Sequence, residues 1–120
     1  MANIDYILYE KYTPKMTAEN SWATATPLNG GLYLVKEGVI FCPNNTFLAA
    51  YTNLMSLKDK NVTVFAYDEI SKAETGSYKH LWKTIYTLRV HTKSGETHFF
   101  MMANKQKADN WTAEINRRIN

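Results

Sequence analysis

The chain has 120 residues, 45% of them hydrophobic, and a formal charge of +3. That length fits one domain able to bury a core without metal or disulfide support, and that composition excludes a disordered chain. A single cysteine, Cys42, excludes an intrachain disulfide, and the scattered positive charge lacks the concentrated basic face of a nucleic-acid binder.

The opening residues carry an early acid, Asp5, and no basic run leading into an apolar stretch. No targeting segment is expected, and a cytoplasmic location follows as the default. Asp5 to Tyr12 is rich in tyrosine and is broken at Thr13-Pro14. Residues 1–21 therefore read as an N-terminal arm or edge segment, and 22–120 as the domain proper. Within it, Trp22 to Thr26 alternates and is stopped by Pro27, which predicts a strand. Asn29-Gly30-Gly31 is a turn signal. Leu32 to Val35 and Val39 to Cys42 predict two more strands around Lys36-Glu37-Gly38.

The period then changes. Phe47, Leu48, Tyr51, Leu54 and Met55 recur at helical spacing, so a short inserted helix is predicted over 46–58. Val62 to Tyr67 reads as a strand. Ile70 to Thr75 begins another, with a bend at Gly76-Ser77. Leu81 to Thr92 is long and β-rich, with Tyr86, Leu88 and Val90 on one face and Thr87, Arg89 and His91 on the other. Ser94-Gly95 marks a hairpin, and Glu96 to Met102 returns. Asn104 is a plausible N-cap for a last helix whose apolar stripe is Ala108, Trp111, Ile115 and Ile119. Arg117 and Arg118 suit its C-terminal dipole. The core is expected to include Phe41, Leu88, Phe99, Trp111 and Ile115. About seven antiparallel strands closed by one helix make the chain mainly β, since a final helix can plug the open end of a bent sheet.

At this point the residues resemble a family. Gly31-Leu32-Tyr33-Leu34 followed by Val39-Ile40-Phe41 is similar to the start of GRAM and bacterial PH-like domains. Ala66-Tyr67-Asp68-Glu69-Ile70 resembles their next element, and the run from Leu88 to Phe100 resembles their hairpin. Trp111 stands where PH-like domains commonly carry a helix tryptophan. The resemblance covers about residues 22–119. It implies a PH-like bent seven-stranded β-sandwich or barrel capped by a C-terminal α-helix, and a binding or scaffolding role. Fold alone does not fix function.

Chemistry finds little to work with. No phosphate-binding loop, dinucleotide fingerprint, nucleophile elbow or zinc-protease motif is present. Asp68-Glu69 is an adjacent carboxylate pair, but strand neighbours point to opposite faces. Cys42 reads as a small buried apolar residue. If Ser94-Gly95 is a two-residue turn, His91 faces His98 and the two imidazoles could share a metal. No third ligand is evident, so neither metal nor cofactor is expected. Phosphoinositide grip in PH domains comes from basic residues on the first hairpin loop. Here that loop reads as Pro27 to Gly31 and has none.

The most distinctive surface segment is Tyr78, Lys79, His80, Leu81, Trp82 and Lys83. Tyr78 and Trp82 could anchor a partner or touch a membrane, with the lysines beside them. The plainer reading, which is favoured, buries Trp82 in a strand and leaves the lysines solvated. A non-catalytic interaction module follows, binding a protein or a second copy of itself, for instance through an open strand edge. The alternative is a peripheral membrane module of GRAM type with weak anionic contact. An unrecognised small enzyme is the remaining alternative.

Overall fold

A computed structural model of the chain describes residues 5–20, 22, 27–43 and 62–119. Alternating strands need a partner face, and two sheets supply one for each other. Strands β1 (Leu8–Glu10), β3 (Gly30–Leu34), β4 (Gly38–Pro43) and β5 (Thr63–Ala66) form one antiparallel sheet in the order β1-β3-β4-β5. Strands β2 (Lys15–Met16), β6 (Ile70–His80), β7 (Lys83–Thr92) and β8 (Thr97–Met102) form the other, in the order β2-β8-β7-β6. A single 3-10 turn, Tyr67–Glu69, links β5 to β6, and helix α1 (Lys105–Ile119) follows β8. The described residues thus hold eight strands in two sheets of four. The predicted helix over 46–58 lies outside them. So does the predicted strand over 22–26, except for Trp22, which is not in a strand.

Residues 5–20 contribute an edge strand to each sheet. β1 pairs with β3, and β2 pairs with β8 on the far side of the molecule. The chain crosses between the sheets at Lys11 to Pro14, where the pre-proline position resists helix and proline lacks an N–H.

The core fills the space between the sheets and under α1. Leu32, Leu34, Val39, Phe41 and Phe65 face Leu88, Val90, Phe100 and Met102. Phe100 meets Phe41 at 5.5 Å and Phe65 edge-on at 6.5 Å. Ala108, Trp111 and Ile115 close the third side, as their spacing predicts. Asn104 caps α1, its Oδ1 accepting the Lys107 N–H at 2.8 Å. β4 is apolar on both faces, as an internal strand can be. Its outward Ile40 and Cys42 join Val35 in a second cluster flanked by Val64.

One expected core residue is misplaced. Phe99 is half-buried on the outer face of the second sheet, and Phe100 takes the core position. The cause is register. Leu88 pairs with Phe100 and Arg89 with Phe99, because Thr92 lies opposite Glu96 and leaves Lys93 to Gly95 as a turn of three residues rather than two. A one-residue slip moves every side chain of the strand to the opposite face. The expected bend at Gly76-Ser77 does not interrupt the pairing of β6. The strand runs on through, 11 residues in all, with its irregularity at Ser71 instead.

β6 is an edge strand, and α1 guards it. Asn116 accepts the Ala73 N–H at 2.8 Å and donates to the Ala73 carbonyl at 2.9 Å. One side-chain amide thus satisfies the backbone groups that a neighbouring strand would have used. Replacing Asn116 with alanine leaves both without that partner. We expect a loss of about 1–3 kcal/mol, and faster aggregation on warming. Urea unfolding and turbidity check both, and an Asn116→Ala protein as stable as the parent would show that the edge needs no guard.

Candidate interaction surface

The long β6–β7 hairpin carries the most exposed large apolar side chain among the described residues. His80 pairs with Lys83, so Leu81 and Trp82 form a two-residue turn. Such turns demand positive φ, usually met by glycine. Here Leu81 adopts φ 58°, at an expense of about 1 kcal/mol for a residue with a Cβ. The two side chains stand out from the tip: Leu81 is 75% and Trp82 is 89% exposed. The plainer expectation for Trp82, burial in a strand, is therefore overturned. The residue is not in a strand at all.

The rest of the predicted segment sorts by strand alternation. Lys79 and Lys83 are exposed beside the tip, and Lys79 Nζ donates to Thr84 Oγ1. Tyr78 is half-buried, and its hydroxyl donates to Met16 Sδ at 3.4 Å. His80 is half-buried with no described partner at Nδ1. The structure thus splits the six residues: Tyr78 and His80 are partly packed, while Lys79, Leu81, Trp82 and Lys83 are exposed at or beside the tip, the two lysines on opposite faces of the hairpin. From Thr75 to Gly95 the chain contains no acidic residue. The distal hairpin is therefore uniformly basic.

Behind the tip, the outer face of the second sheet holds a polar network. Arg89 pairs through Nε with Glu19, and its Nη1 lies 3.6 Å from Glu74. Thr87 Oγ1 donates to Glu19 at 3.0 Å. His91 bonds Glu74 through Nε2 and Thr97 through Nδ1. Hydrogen bonding from His91, with Lys72 and Arg89 nearby, holds the Glu74 carboxyl below its usual range. Gly76 leaves the room this network needs, since a Cβ there would run into Arg89, Glu19 and Thr87. The network fastens the segment after β2 to the hairpin, a link that no local sequence signal announced.

His91 and His98 do not meet. His91 pairs with Thr97 on the outer face, while His98 pairs with Val90 and packs edge-on against Phe65 on the inner one. The expected facing pair fails for the same register reason as Phe99. Among the described residues no group of three or more His, Cys, Asp or Glu is placed to hold a metal.

His98 instead lines a cleft of about 460 Å³ with Phe65, Asp68, Glu69, Lys93 and Glu96. Asp68 and Glu69 sit on the 3-10 turn rather than on a strand. The Glu69 carboxylate accepts the Ala66 N–H at 3.0 Å. Burial, and then the charge of Lys15, push the His98 imidazole below its ordinary value, against the pull of Glu96. The unfolded chain therefore binds that proton more readily than the folded one. Stability is expected to fall as pH drops through the ordinary histidine range near 6.5. His98→Phe should flatten that slope in urea midpoints at successive pH values; an unchanged slope would assign it to another group. Cys42 is buried, and burial pushes its thiol up to about 12. It carries essentially no thiolate near neutrality.

A second exposed apolar group lies at the far edge of the first sheet. Tyr9 stacks on Tyr33 at 4.5 Å, with Tyr6 edge-on to Tyr33 at 6.2 Å. Ile7 and Tyr12 are exposed beside them.

No family model matches the chain, and no curated protein matches it. Its structure is similar to a crystal structure described as the C-terminal domain of an unknown protein from Leishmania infantum. The TM-score is 0.61 at 11% identity, over 95% of this chain and 85% of that one. At that identity the likeness shows a shared fold and nothing more. No helix among the described residues is long and apolar enough to cross a membrane.

Proposed function

We propose that the chain is a non-catalytic interaction module of PH-like architecture, and that the β6–β7 tip is its contact surface. The observation that carries this is the exposure of Leu81 and Trp82 at a turn where leucine is conformationally unfavourable. Large adjacent apolar side chains facing water are the usual mark of a binding surface. The PH-like architecture is supported by the strand order. Counted as one strand bent at Thr13-Pro14, β1 and β2 reduce eight strands to seven, the first serving both sheets. On that reading the segment between the first two strands, Thr17 to Asn29, contains neither lysine nor arginine. Multivalent grip on a phosphoinositide there lacks its donors. A GRAM-type chain with an intracellular adaptor role fits this arrangement.

The test is to map an apolar anion, anilinonaphthalene sulfonate, onto the full chain by amide chemical shifts. The tip reading expects the first shifts at Lys79 to Lys83. Shifts confined to Tyr6, Tyr9 and Tyr12 would move the contact surface to the β1 edge.

A second reading, self-association into a scaffold, has one observation in its favour. Tyr6, Ile7, Tyr9 and Tyr12 crowd an edge strand of the first sheet, where a second copy can add. Light scattering should then show an oligomer that survives high salt and dissociates on Ile7→Lys. A parent chain that is monomeric in low and high salt alike would sink it.

A further inference from the structure

Resting on the tip reading, we infer that the surface met by the β6–β7 hairpin is an anionic lipid bilayer. The shape of the feature points there. Leu81 and Trp82 stand at the convex end of a hairpin whose strands run 11 and 10 residues. A protruding point fits a soft, deformable phase, whereas a protein partner would need a matching cavity. The chemistry agrees. Tryptophan settles at the boundary between headgroups and acyl chains, its ring in the apolar side and its indole N–H in the wet one. With Trp82 at that depth, Lys83 flanks the turn directly and Lys79, paired with Thr84, lies one position further back on the other face, both at the level of the headgroups. Long cationic side chains suit that position.

The charge pattern is one-signed. Across 75–95 the only ionisable side chains are Lys79, His80, Lys83, Arg89, His91 and Lys93, together with the weakly acidic tyrosines Tyr78 and Tyr86. The hairpin itself carries no carboxylate near the turn to repel an anionic surface. Glu74 is committed to His91 and Arg89 well back along β6. The hairpin is also stiff where it must bear load. Tyr78 is tied to Met16 on β2, and Thr87 and Arg89 to Glu19. The tip is thus an apolar wedge with a cationic collar, carried on a hairpin that is tied down behind it. It reads surface charge rather than one headgroup, because two lysines on opposite strands form no enclosed cradle for a phosphate.

Vesicle co-sedimentation of the full chain tests this. The probes are vesicles of phosphatidylcholine alone, and of phosphatidylcholine with a minority of phosphatidylserine. Binding is expected to the second and not the first. It should weaken steeply with added salt, which screens the collar. Trp82→Ala should lower the affinity at least tenfold, and Lys79→Glu with Lys83→Glu should abolish it. These side chains are exposed, so unchanged thermal unfolding will verify that the variants fold. Soluble inositol phosphates should not compete, which separates a bilayer from a free phosphate as the ligand.

Two results overturn the inference. One is absence of binding to anionic vesicles by the parent chain at low salt. The other is binding that Leu81→Ser with Trp82→Ala leaves intact, which would assign it to scattered lysines. If vesicles fail while the dye still maps to Lys79 to Lys83, the tip remains the contact surface and its partner is a protein.

Discussion

Replacing Trp111 with alanine is expected to destabilise the domain by about 3–5 kcal/mol, the range for truncating a fully buried large aromatic. Trp111 is completely enclosed, in the middle of the only apolar stripe of α1, where it covers the core between the two sheets. Its removal leaves a cavity that the rigid sheets cannot collapse around. It also removes a donor, since Nε1 lies 3.4 Å from Glu10 Oε2. That same carboxylate receives Lys107 Nζ at 2.8 Å, so β1 loses one of its two ties to the helix. Trp111→Phe keeps most of the apolar volume and should recover most of the loss. Urea midpoints with slopes held equal give the comparison. A change below about 1 kcal/mol would mean that α1 packs far more loosely than its burial indicates.

The second large effect is expected at Gly30. This residue opens β3 opposite Pro43. A Cβ there would overlap the Cys42 carbonyl oxygen and sit 2.7 Å from Phe41 Cζ. The first obstacle is backbone and the second is a core ring, so neither can step aside cheaply. Gly30→Ala should therefore cost about 3 kcal/mol, the upper end of ordinary overpacking. Gly31 beside it is the internal control. A Cβ there meets its neighbours no closer than 3.3 Å, and Gly31→Ala should cost under about 1 kcal/mol. Equal losses at the two sites would show that the close approach at Gly30 relaxes, and that any penalty belongs to β3 as a whole.

The readable parts of this fold share a physical cause. Helix α1 was legible because a cap, an apolar stripe at period 3.6 and a basic last turn agree with one another. β3, β4 and β7 were legible because alternation or continuous apolarity marks a half-buried or buried strand. The turn before β8 was legible as a turn but not in length. Gly95 takes φ 97° there, which glycine permits, but the same Ser94-Gly95 pair suits loops of two residues or three. That ambiguity cost both Phe99 and the His91–His98 pairing. The β6–β7 turn was illegible for the opposite reason. His80-Leu81-Trp82-Lys83 contains no Gly, Asn, Asp or Pro, so nothing local interrupts the β pattern. Trp82 could not be placed outside without that turn. Likewise, β2 is two residues long, too short for any period. Its pairing depends on β8, more than eighty residues away in sequence.

The N-terminal segment has a consequence for how the molecule assembles. Glu10 meets Lys107 and Trp111 across about a hundred residues of chain, and Glu19 meets Arg89 across 70. Contacts so distant along the chain close slowly, because the intervening loop must lose its freedom before they reward it. As the chain leaves the ribosome, β1 can find β3 early. β2 has no strand to join until β8 has emerged, and Glu10 no helix until α1 follows. The seam joining the two sheets at Lys11 to Pro14 is therefore made from residues early in this fold and completed by residues late in it. A nascent chain stalled before α1 leaves the third side of the core, the one that Trp111 covers, open to water. Chaperone dependence should peak at that length and fall away once Trp111 is free to dock.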